Sequence, residues 1–372
     1  MLNRREFIAA TASLLSLAPF SARADNAVCR EVPWLAEVQR PPANPKLTDT
    51  GYLEPLLASD DGSPITSLEQ WQARRDQIRK RWQDILGPMP YRPAIKLTTV
   101  TEDHPAGCRR IRVRYECETG VEVEGFLLYP DPLESAPRPA LVVLHSTTED
   151  TIEEVAGVKG RDDQALGLKF AQQGFIVFCP QCFLWNEPSL EYTDAVAKFQ
   201  QRHPKTLGMR KMLNDAQCAV DILAGLPEVD PKRIGAVGHS LGAKETLYLA
   251  AFDERIKAAV FSEGGIGLGF TNWHDPWYLG RGIHDSAFKL NHHQLLALIA
   301  PRAFLILAGE SGPPNQSVAD GARTWPFVEA ALPVYKLYGE PARIGLYNHG
   351  KGHSIPPEAF TRMSEWLQTY LA

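Results

Sequence analysis

Residues 238–242 read Gly-His-Ser-Leu-Gly, so a serine stands two positions from a glycine on each side. An apolar run typical of a strand, residues 233–237, precedes this motif, and a run typical of a helix, residues 243–251, follows it. A sharp turn from strand to helix leaves no space for side chains at the glycine positions, and it lifts the serine hydroxyl above the sheet. The pattern predicts that Ser240 is a nucleophile. The alternative is a serine that only caps a glycine-rich helix start.

A base must accompany such a serine, because a hydroxyl is a poor nucleophile near neutral pH. His353 lies a few residues beyond the last predicted strand, residues 343–347, and before the final predicted helix, residues 357–371. This position predicts His353 as the general base. His349 lies closer to the strand end and is the alternative, although a structural role or a place in the pocket wall suits it better.

Three carboxylates compete to orient that imidazole and to stabilise its charged form without taking its proton. Asp320 follows the predicted strand 303–308 after a loop rich in Gly, Pro, Asn and Ser, and it is the first choice. Glu263 ends the preceding strand and is the second choice, and Glu310 directly ends strand 303–308 and is the third. Each of them could instead be a loop carboxylate that bonds backbone amides.

An acyl transfer also needs hydrogen-bond donors for the developing oxyanion. The backbone N–H of Leu241 is one candidate, because it opens the helix after the serine. The loop after the buried strand 140–144 should supply the other, and we expect the N–H of Thr147, with Ser146 as the alternative. His145 in the same loop is expected to anchor it.

Specificity is expected from side chains around this site. Four tryptophans follow predicted strands or candidate residues, and they suit either sugar stacking or packing; they are Trp185, Trp273, Trp277 and Trp325. Lys244, one turn into the predicted helix after Ser240, could meet a substrate carboxylate or could be an ordinary lysine on the helix surface.

The elements that must position these groups alternate between strands and helices. The predicted strands are residues 96–101, 109–116, 121–129, 140–144, 175–179, 233–237, 258–261, 303–308 and 343–347. Alternation of this kind predicts an α/β fold with a mostly parallel sheet covered on both faces, and with the first strands antiparallel at one edge. Residues 25–95 predict an irregular arm followed by an amphipathic helix, and residues 96–372 a catalytic domain.

Composition excludes several classes of protein. Hydrophobic residues make up 44% of the 372 residues and charged residues 22%, which is typical of a globular protein with a large core. With 39 Lys and Arg against 44 Asp and Glu, the formal net charge is −5, so we expect no nucleic-acid partner. No zinc-protease, phosphate-loop or dinucleotide-binding motif is present, so no metal and no cofactor is expected.

The first 24 residues have the pattern of a targeting segment. Arg4 and Arg5 precede an uncharged stretch, residues 8–20, and Ala22-Arg23-Ala24 has the form of a cleavage site. This segment resembles a twin-arginine export signal, and the resemblance implies that the folded protein is periplasmic or secreted. A retained amphipathic helix is the alternative. No later segment is apolar and long enough to span a membrane, so no membrane association is expected after cleavage.

Six cysteines would then meet oxidising conditions, which permit disulfides. Cys179 and Cys182 form a C-x-x-C pattern, for which a local disulfide or two packed thiols is expected rather than a redox pair. The sequence leaves the pairing and the oligomeric state open.

The motifs taken together resemble the α/β-hydrolase superfamily over residues 96–372. Within it the chain is similar to bacterial exported carbohydrate esterases of the acetyl xylan esterase and dienelactone-hydrolase-like group. The segments that carry this resemblance are residues 223–227, 229–231, 233–235, 238–242 and 250–256. The resemblance implies hydrolysis of acetyl or related esters on plant polysaccharides or their oligosaccharide fragments. Dienelactone hydrolases have a cysteine at the turn, so Ser240 favours ordinary ester hydrolysis through an acyl-enzyme.

Two alternatives remain open. The position of Glu263 resembles glucuronoyl esterases, whose acid can follow that earlier strand, so a glucuronoyl methylesterase is the second enzymatic candidate. Those enzymes carry a basic residue directly after the serine, where this chain has Leu241. The candidate from another class is a non-catalytic carbohydrate-binding protein on a hydrolase scaffold, in which Ser240 would be unreactive.

Overall fold

The computed structural model describes residues 30–43, 52–89, 92–187, 190–310, 319–339 and 341–372. The predicted export signal, residues 1–24, and Cys29 lie outside these ranges. Residues 31–372 group into one unit by their contacts, built around a single nine-stranded sheet.

The sheet is mixed, with its parallel part at the centre and on one side. Its strands are β1 (Thr98–Asp103), β2 (Cys108–Glu118), β3 (Val121–Pro130), β4 (Arg138–Leu144), β5 (Ile176–Pro180), β6 (Val229–His239), β7 (Ile256–Ser262), β8 (Ala303–Ala308) and β9 (Ile344–Asn348). They lie in the order β1-β2-β3-β5-β4-β6-β7-β8-β9. Pairing is antiparallel from β1 to β5 and parallel from β5 to β9. The predicted α/β class is confirmed.

Helices surround the sheet. In the described part of the chain they are α1 (Leu35–Val38), α2 (Leu68–Leu86), α3 (Thr151–Val155), α4 (Leu166–Gln172), α5 (Tyr192–Arg202), α6 (Gly208–Ala224), α7 (Leu241–Phe252), α8 (His293–Ile299), α9 (Trp325–Leu337) and α10 (Pro357–Tyr370). Short 3-10 turns lie at Asp162–Gln164, Phe183–Trp185, Arg281–His284 and Ala322–Thr324.

The central strands are apolar throughout because both faces of the sheet are covered. In β4, Val142 and Leu144 belong to the core on the face that α2, α6, α7, α8 and α9 cover. Leu141 and Val143 point to the opposite core, which α1, α3, α4 and α10 complete. Side chains alternate between the faces of a strand, so one continuous apolar run serves both cores.

Helix α2 joins the N-terminal region to the rest of the fold. Its N-cap is Ser67, whose hydroxyl accepts from the N–H of Gln70, while the Gln70 side chain accepts from the N–H of Ser67. At its other end Trp82 stacks on His292, with ring centroids 5.6 Å apart, and donates to Gln294 at the start of α8. The amphipathic helix of the predicted arm therefore packs on the core.

The five described cysteines are buried and free. Cys179 lies in the core on the α10 side, and Cys182 lies in the core on the α7 side. Of the interpretations offered for this pair, two packed thiols is the one that fits. In a search of the described residues, no helix combines the length and the apolar character that crossing a bilayer requires.

The sheet brings the candidate residues to one edge. Parallel strands have their carboxyl ends at the same edge, where ligands bind in α/β folds. Thr147 follows β4, Ser240 follows β6, Glu263 follows β7 and His353 follows β9. Four segments that are far apart in sequence therefore meet at this edge.

Candidate active site

Ser240 stands alone between the last residue of β6 and the first residue of α7, with φ 57° and ψ −115°. A Cβ atom on Gly238 would lie 2.3 Å from the backbone of Gly242, and one on Gly242 would lie 2.1 Å from the Leu144 carbonyl oxygen. Neither position can hold a side chain without moving backbone. The turn therefore has the geometry that the motif predicts, including a left-handed φ at a residue other than glycine.

The loop after β4 is held against this turn. Leu144 pairs with Gly238 in the sheet, and the Ser146 hydroxyl lies 3.2 Å from the carbonyl oxygen of His239. Leu241 begins α7, so its N–H belongs to the first helical turn, where backbone donors have no partner within the helix. Thr147 is exposed at the same edge. The two predicted oxyanion donors thus belong to segments in direct contact.

His145 anchors that loop, as expected. Its Nδ1–H donates to the Ser146 carbonyl at 2.7 Å, and its Nε2 accepts from the N–H of Cys182 at 3.1 Å. Burial lowers its pKa to about 4, so the ring is neutral near pH 7. The imidazole therefore ties the loop after β4 to the loop after β5.

His353 faces Glu263. The two side chains approach to 3.5 Å between Nδ1 and Oε2, with the imidazole 40% exposed and the carboxylate fully buried. The His353 ring also lies 4.6 Å from the ring of His239, the residue directly before Ser240. Contacts between catalytic groups are often long in a protein without substrate, and they tighten when it binds. The imidazole thus lies beside the serine turn with a carboxylate behind it.

Asp320 does not face the imidazole, which differs from the first choice made from the sequence. Its carboxylate accepts from the N–H groups of Gly265 and Ile266, at 2.6 and 2.9 Å, and from the Thr324 hydroxyl at 2.8 Å. These bonds fasten the loop after β7 to the segment before α9. Asp320 therefore has the role of a carboxylate that bonds backbone amides, and Glu263 holds the position expected for Asp320.

Glu310, the third choice, is also engaged elsewhere. Its Oε2 accepts from the N–H of Ala322 at 2.6 Å. The alternative base, His349, has its Nδ1 accepting from the N–H of Lys351 at 3.1 Å, and burial lowers its pKa. Both residues therefore have the structural roles that the sequence analysis offered as alternatives.

Glu263 is held in an unusual environment. Its φ is 55°, and Oε2 also lies within reach of the N–H groups of Ala319 and Asp320, at 3.2 and 3.4 Å. Oε1 has no hydrogen-bond partner among the described residues. Burial raises the pKa of this carboxyl, and the hydrogen bond with His353 acts in the opposite direction. A buried anion next to an imidazole stabilises the imidazolium that general-base catalysis forms.

Lys244 is buried, with a side chain only 4% exposed. Its ammonium lies 3.9 Å from the centre of the Trp273 ring and 4.9 Å from that of Tyr278, and it donates to the Thr271 hydroxyl. Burial lowers its pKa to about 7. The alternative of an ordinary surface lysine is therefore wrong.

This burial predicts a pH-dependent stability. The pKa of Lys244 is about 7 in the folded state and 10.5 ordinarily, so folding releases a proton between these values and a higher pH favours the folded state. The cost of burying the charge is present in full below pH 7 and disappears by about pH 10.5. We expect the free energy of unfolding of the wild type, relative to Lys244→Met, to rise by up to about 1.4 kcal/mol per pH unit above pH 7.

Urea unfolding of both proteins from pH 6 to 9 measures this difference. The exposed Lys232→Met serves as the control for loss of a surface lysine. A constant difference between wild type and Lys244→Met across this range would contradict the prediction.

The four candidate tryptophans differ in how far their side chains are buried. Trp273 has no exposed surface and donates to the Gly265 carbonyl, while Trp185 and Trp325 are 9% and 4% exposed. These three are packing residues, and the expectation that they offer open faces to a sugar does not hold. Trp277 is half-buried and packs against Tyr192, with ring centroids 5.8 Å apart. It is the tryptophan of the four that keeps substantial exposed surface.

The described ranges contain no group of three or more His, Cys, Asp or Glu side chains arranged to hold a metal ion. The structure brings a serine, Ser240, an imidazole, His353, and a buried carboxylate, Glu263, to this edge of the sheet.

Comparison with known proteins finds similarity to ester hydrolases. The dienelactone hydrolase family model matches residues 124–276. A 4-O-methyl-glucuronoyl methylesterase from Phanerochaete carnosa is 23% identical over 295 residues, which cover 71% of this chain and 67% of that protein. A second one, from Wolfiporia cocos, is 22% identical over 276 residues, which cover 66% of this chain and 63% of that protein.

The same fold is found in a solved structure of a glucuronoyl esterase from Solibacter usitatus. The TM-score is 0.66 at 17% identity, and the match covers 87% of this chain and 99% of that one. At this identity the likeness concerns the fold alone. The chain therefore has the α/β-hydrolase fold, and residues 124–276 match the dienelactone hydrolase family model.

Proposed function

We propose that this protein hydrolyses carboxylic esters of carbohydrates through an acyl-enzyme on Ser240. The observation that carries the proposal is the approach of His353 to the buried Glu263, directly beside the strained turn that presents the serine. Two relatives, which match 71% and 66% of the chain, are named as methylesterases of a sugar acid, and this supports the carbohydrate class.

In the proposed reaction Ser240 Oγ attacks the ester carbonyl while His353 Nε2 accepts its proton. Glu263 keeps the Nδ1–H of His353 in place and stabilises the imidazolium. The N–H groups of Leu241 and Thr147 hold the oxyanion, and the loss of one such donor typically costs about 2.7–4 kcal/mol of transition-state stabilisation. His353 then protonates the leaving alcohol. Water, activated by the same imidazole, releases the acid.

Two esters compete as the substrate. A glucuronoyl ester is the first candidate, because Glu263 is the carboxylate beside His353 and this position resembles glucuronoyl esterases. Lys244, which the sequence analysis offered as a contact for a substrate carboxylate, gives no such support, because its ammonium is buried against Trp273 and Tyr278. An acetyl ester on a plant polysaccharide is the second candidate, because Leu241 stands where glucuronoyl esterases have a basic residue.

A substrate outside the cytoplasm would suit either ester. We propose export by the twin-arginine-type segment at residues 1–24, on the sequence pattern alone.

Rates on two substrates test this proposal. We expect kcat/KM for the methyl ester of glucuronic acid to exceed that for acetylated xylan, counted per acetyl group, by at least about tenfold. The reverse order would assign the protein to the acetyl esterases. Absence of hydrolysis of both substrates, and of a simple aryl acetate, would reject the proposed function.

A further inference from the structure

A cavity of about 510 Å³ lies between α6 and the segment that precedes β1. Its lining includes Arg92, Arg210 and Asp221, together with the apolar residues 93–95. We propose that this cavity binds a small organic anion, with a carboxylate group on Arg210 and an apolar body on residues 93–95. These residues are not part of the candidate active site, so the inference is independent of the proposed ester hydrolysis.

One face of α6 forms a wall of the cavity. Arg210, Gln217 and Asp221 follow one another at helical spacing, which places them on the same face of the helix. From Arg210 to Asp221 this face extends about 16 Å along the helix axis. Arg92 reaches it from the segment before β1, because its guanidinium donates to Gln217 at 3.1 Å.

The acidic residue of this wall is shared by two guanidinium groups. Asp221 lies 3.0 Å from Arg92 through Oδ2 and 2.6 Å from Arg255 through Oδ1. Arg255 pairs in addition with Asp253, at 2.6 Å. The two carboxylates of this network therefore balance its two guanidinium groups, and nothing in the network balances a third positive charge.

Arg210 brings that third charge. It lines the cavity and is half-buried, and its side chain has no carboxylate and no other hydrogen-bond partner among the described residues. Burial and the positive charge of Arg92 both lower the pKa of Arg210, yet a guanidinium keeps its proton near pH 7. Removing a charged group from water is costly unless the group is paired. An anion in the cavity would supply the missing partner.

The shape and the lining of the cavity favour an organic carboxylate over an inorganic ion. A guanidinium offers a planar fork of donors that matches the two oxygens of a carboxylate. Ile95 is partly exposed and packs against the core on the α7 side, so it presents apolar surface to the cavity. An inorganic anion would leave this apolar wall uncovered. The volume lies in the range of about 300–1,000 Å³ that is usual for sites of small organic molecules.

Calorimetric titration of the full protein tests the inference. Benzoate and octanoate are the two carboxylates with an apolar body, benzamide is the neutral counterpart of benzoate, and acetate and inorganic phosphate are anions without such a body. We expect at least one of the two carboxylates to bind, and Arg210→Gln to weaken its binding by at least about tenfold, as for loss of a charged hydrogen-bond pair. Arg40→Gln removes the same charge at an exposed position beside α1 and should leave binding unchanged.

Thermal unfolding provides the second measurement. Arg210 has no described ion pair to lose, so Arg210→Gln without ligand should unfold at a temperature no lower than that of the wild type. A saturating carboxylate should raise Tm for the wild type and for Arg40→Gln, and it should not raise Tm for Arg210→Gln.

Four results would overturn the inference. They are the absence of binding by both carboxylates, equal binding to wild type and Arg210→Gln, binding of benzamide as tight as that of benzoate, and binding of acetate or phosphate tighter than that of either larger carboxylate. A preference for benzoate would identify an aromatic acid as the ligand class, and a preference for octanoate an aliphatic acid; both agree with the inference.

Discussion

Ser240→Ala is expected to lower kcat for ester hydrolysis by about 10⁵- to 10⁶-fold, because the acyl-enzyme can no longer form. The backbone at this position is strained in both proteins, so the free energy of unfolding should change little. Initial rates on the better of the two esters, with unfolding curves in parallel, measure the effect.

A fluorophosphonate probe provides an independent readout. It should label the wild type and the exposed Ser63→Ala equally, and it should not label Ser240→Ala. If Ser240→Ala keeps its activity or its label, Ser240 is not the nucleophile. If the wild type is unreactive toward both probe and esters, the non-catalytic carbohydrate-binding alternative is supported instead.

Glu263→Gln should lower kcat by about 10³- to 10⁴-fold with little change in KM. The amide has almost the same shape but no charge, so it cannot stabilise the imidazolium of His353. The NH2 of the amide can also donate to His353 Nδ1, which favours the wrong tautomer of the ring. Glu263→Asp keeps the charge with a shorter reach, so an intermediate kcat is expected.

Asp320→Asn is the matched control, because it also neutralises a buried carboxylate at the same edge. Asp320 accepts from two backbone N–H groups and one hydroxyl, so its amide should mainly lower the free energy of unfolding, by roughly 1–3 kcal/mol. The kcat of the folded Asp320→Asn protein should stay within about tenfold of wild type. A large loss of kcat in Asp320→Asn together with full activity in Glu263→Gln would reverse the assignment of the acid.

Local sequence patterns were sufficient to predict the strands of this fold. All nine strands lie within a few residues of the predicted positions, since each is a short apolar run between turn signals. The turn at residues 238–242 was also predictable from the local sequence. A side chain at either of its glycines would meet backbone atoms only a few residues away or at the neighbouring strand end.

The choice between Asp320 and Glu263 depends on contacts that no local pattern records. Both follow parallel strands and both reach the same edge of the sheet. The segment at residues 319–320 turns back toward the loop after β7. The Asp320 carboxylate therefore accepts hydrogen bonds from the N–H groups of Gly265 and Ile266. The sequence did carry one signal for Glu263, its position directly after a buried strand. Any carboxylate in a loop after a strand carries a similar signal, so it does not distinguish Glu263 from Asp320.

The sequence by itself determined the α/β class, the strand order along the chain, the serine turn and the imidazole candidate, because each of these depends on periodicity or on contacts within a short segment. Only the tertiary structure decided which carboxylate lies behind His353, that Lys244 is buried against Trp273, and that three tryptophans face inward. These outcomes depend on which distant loops the folded chain brings together when both faces of the sheet are covered. Burial of that kind is a property of the packed chain rather than of any residue type.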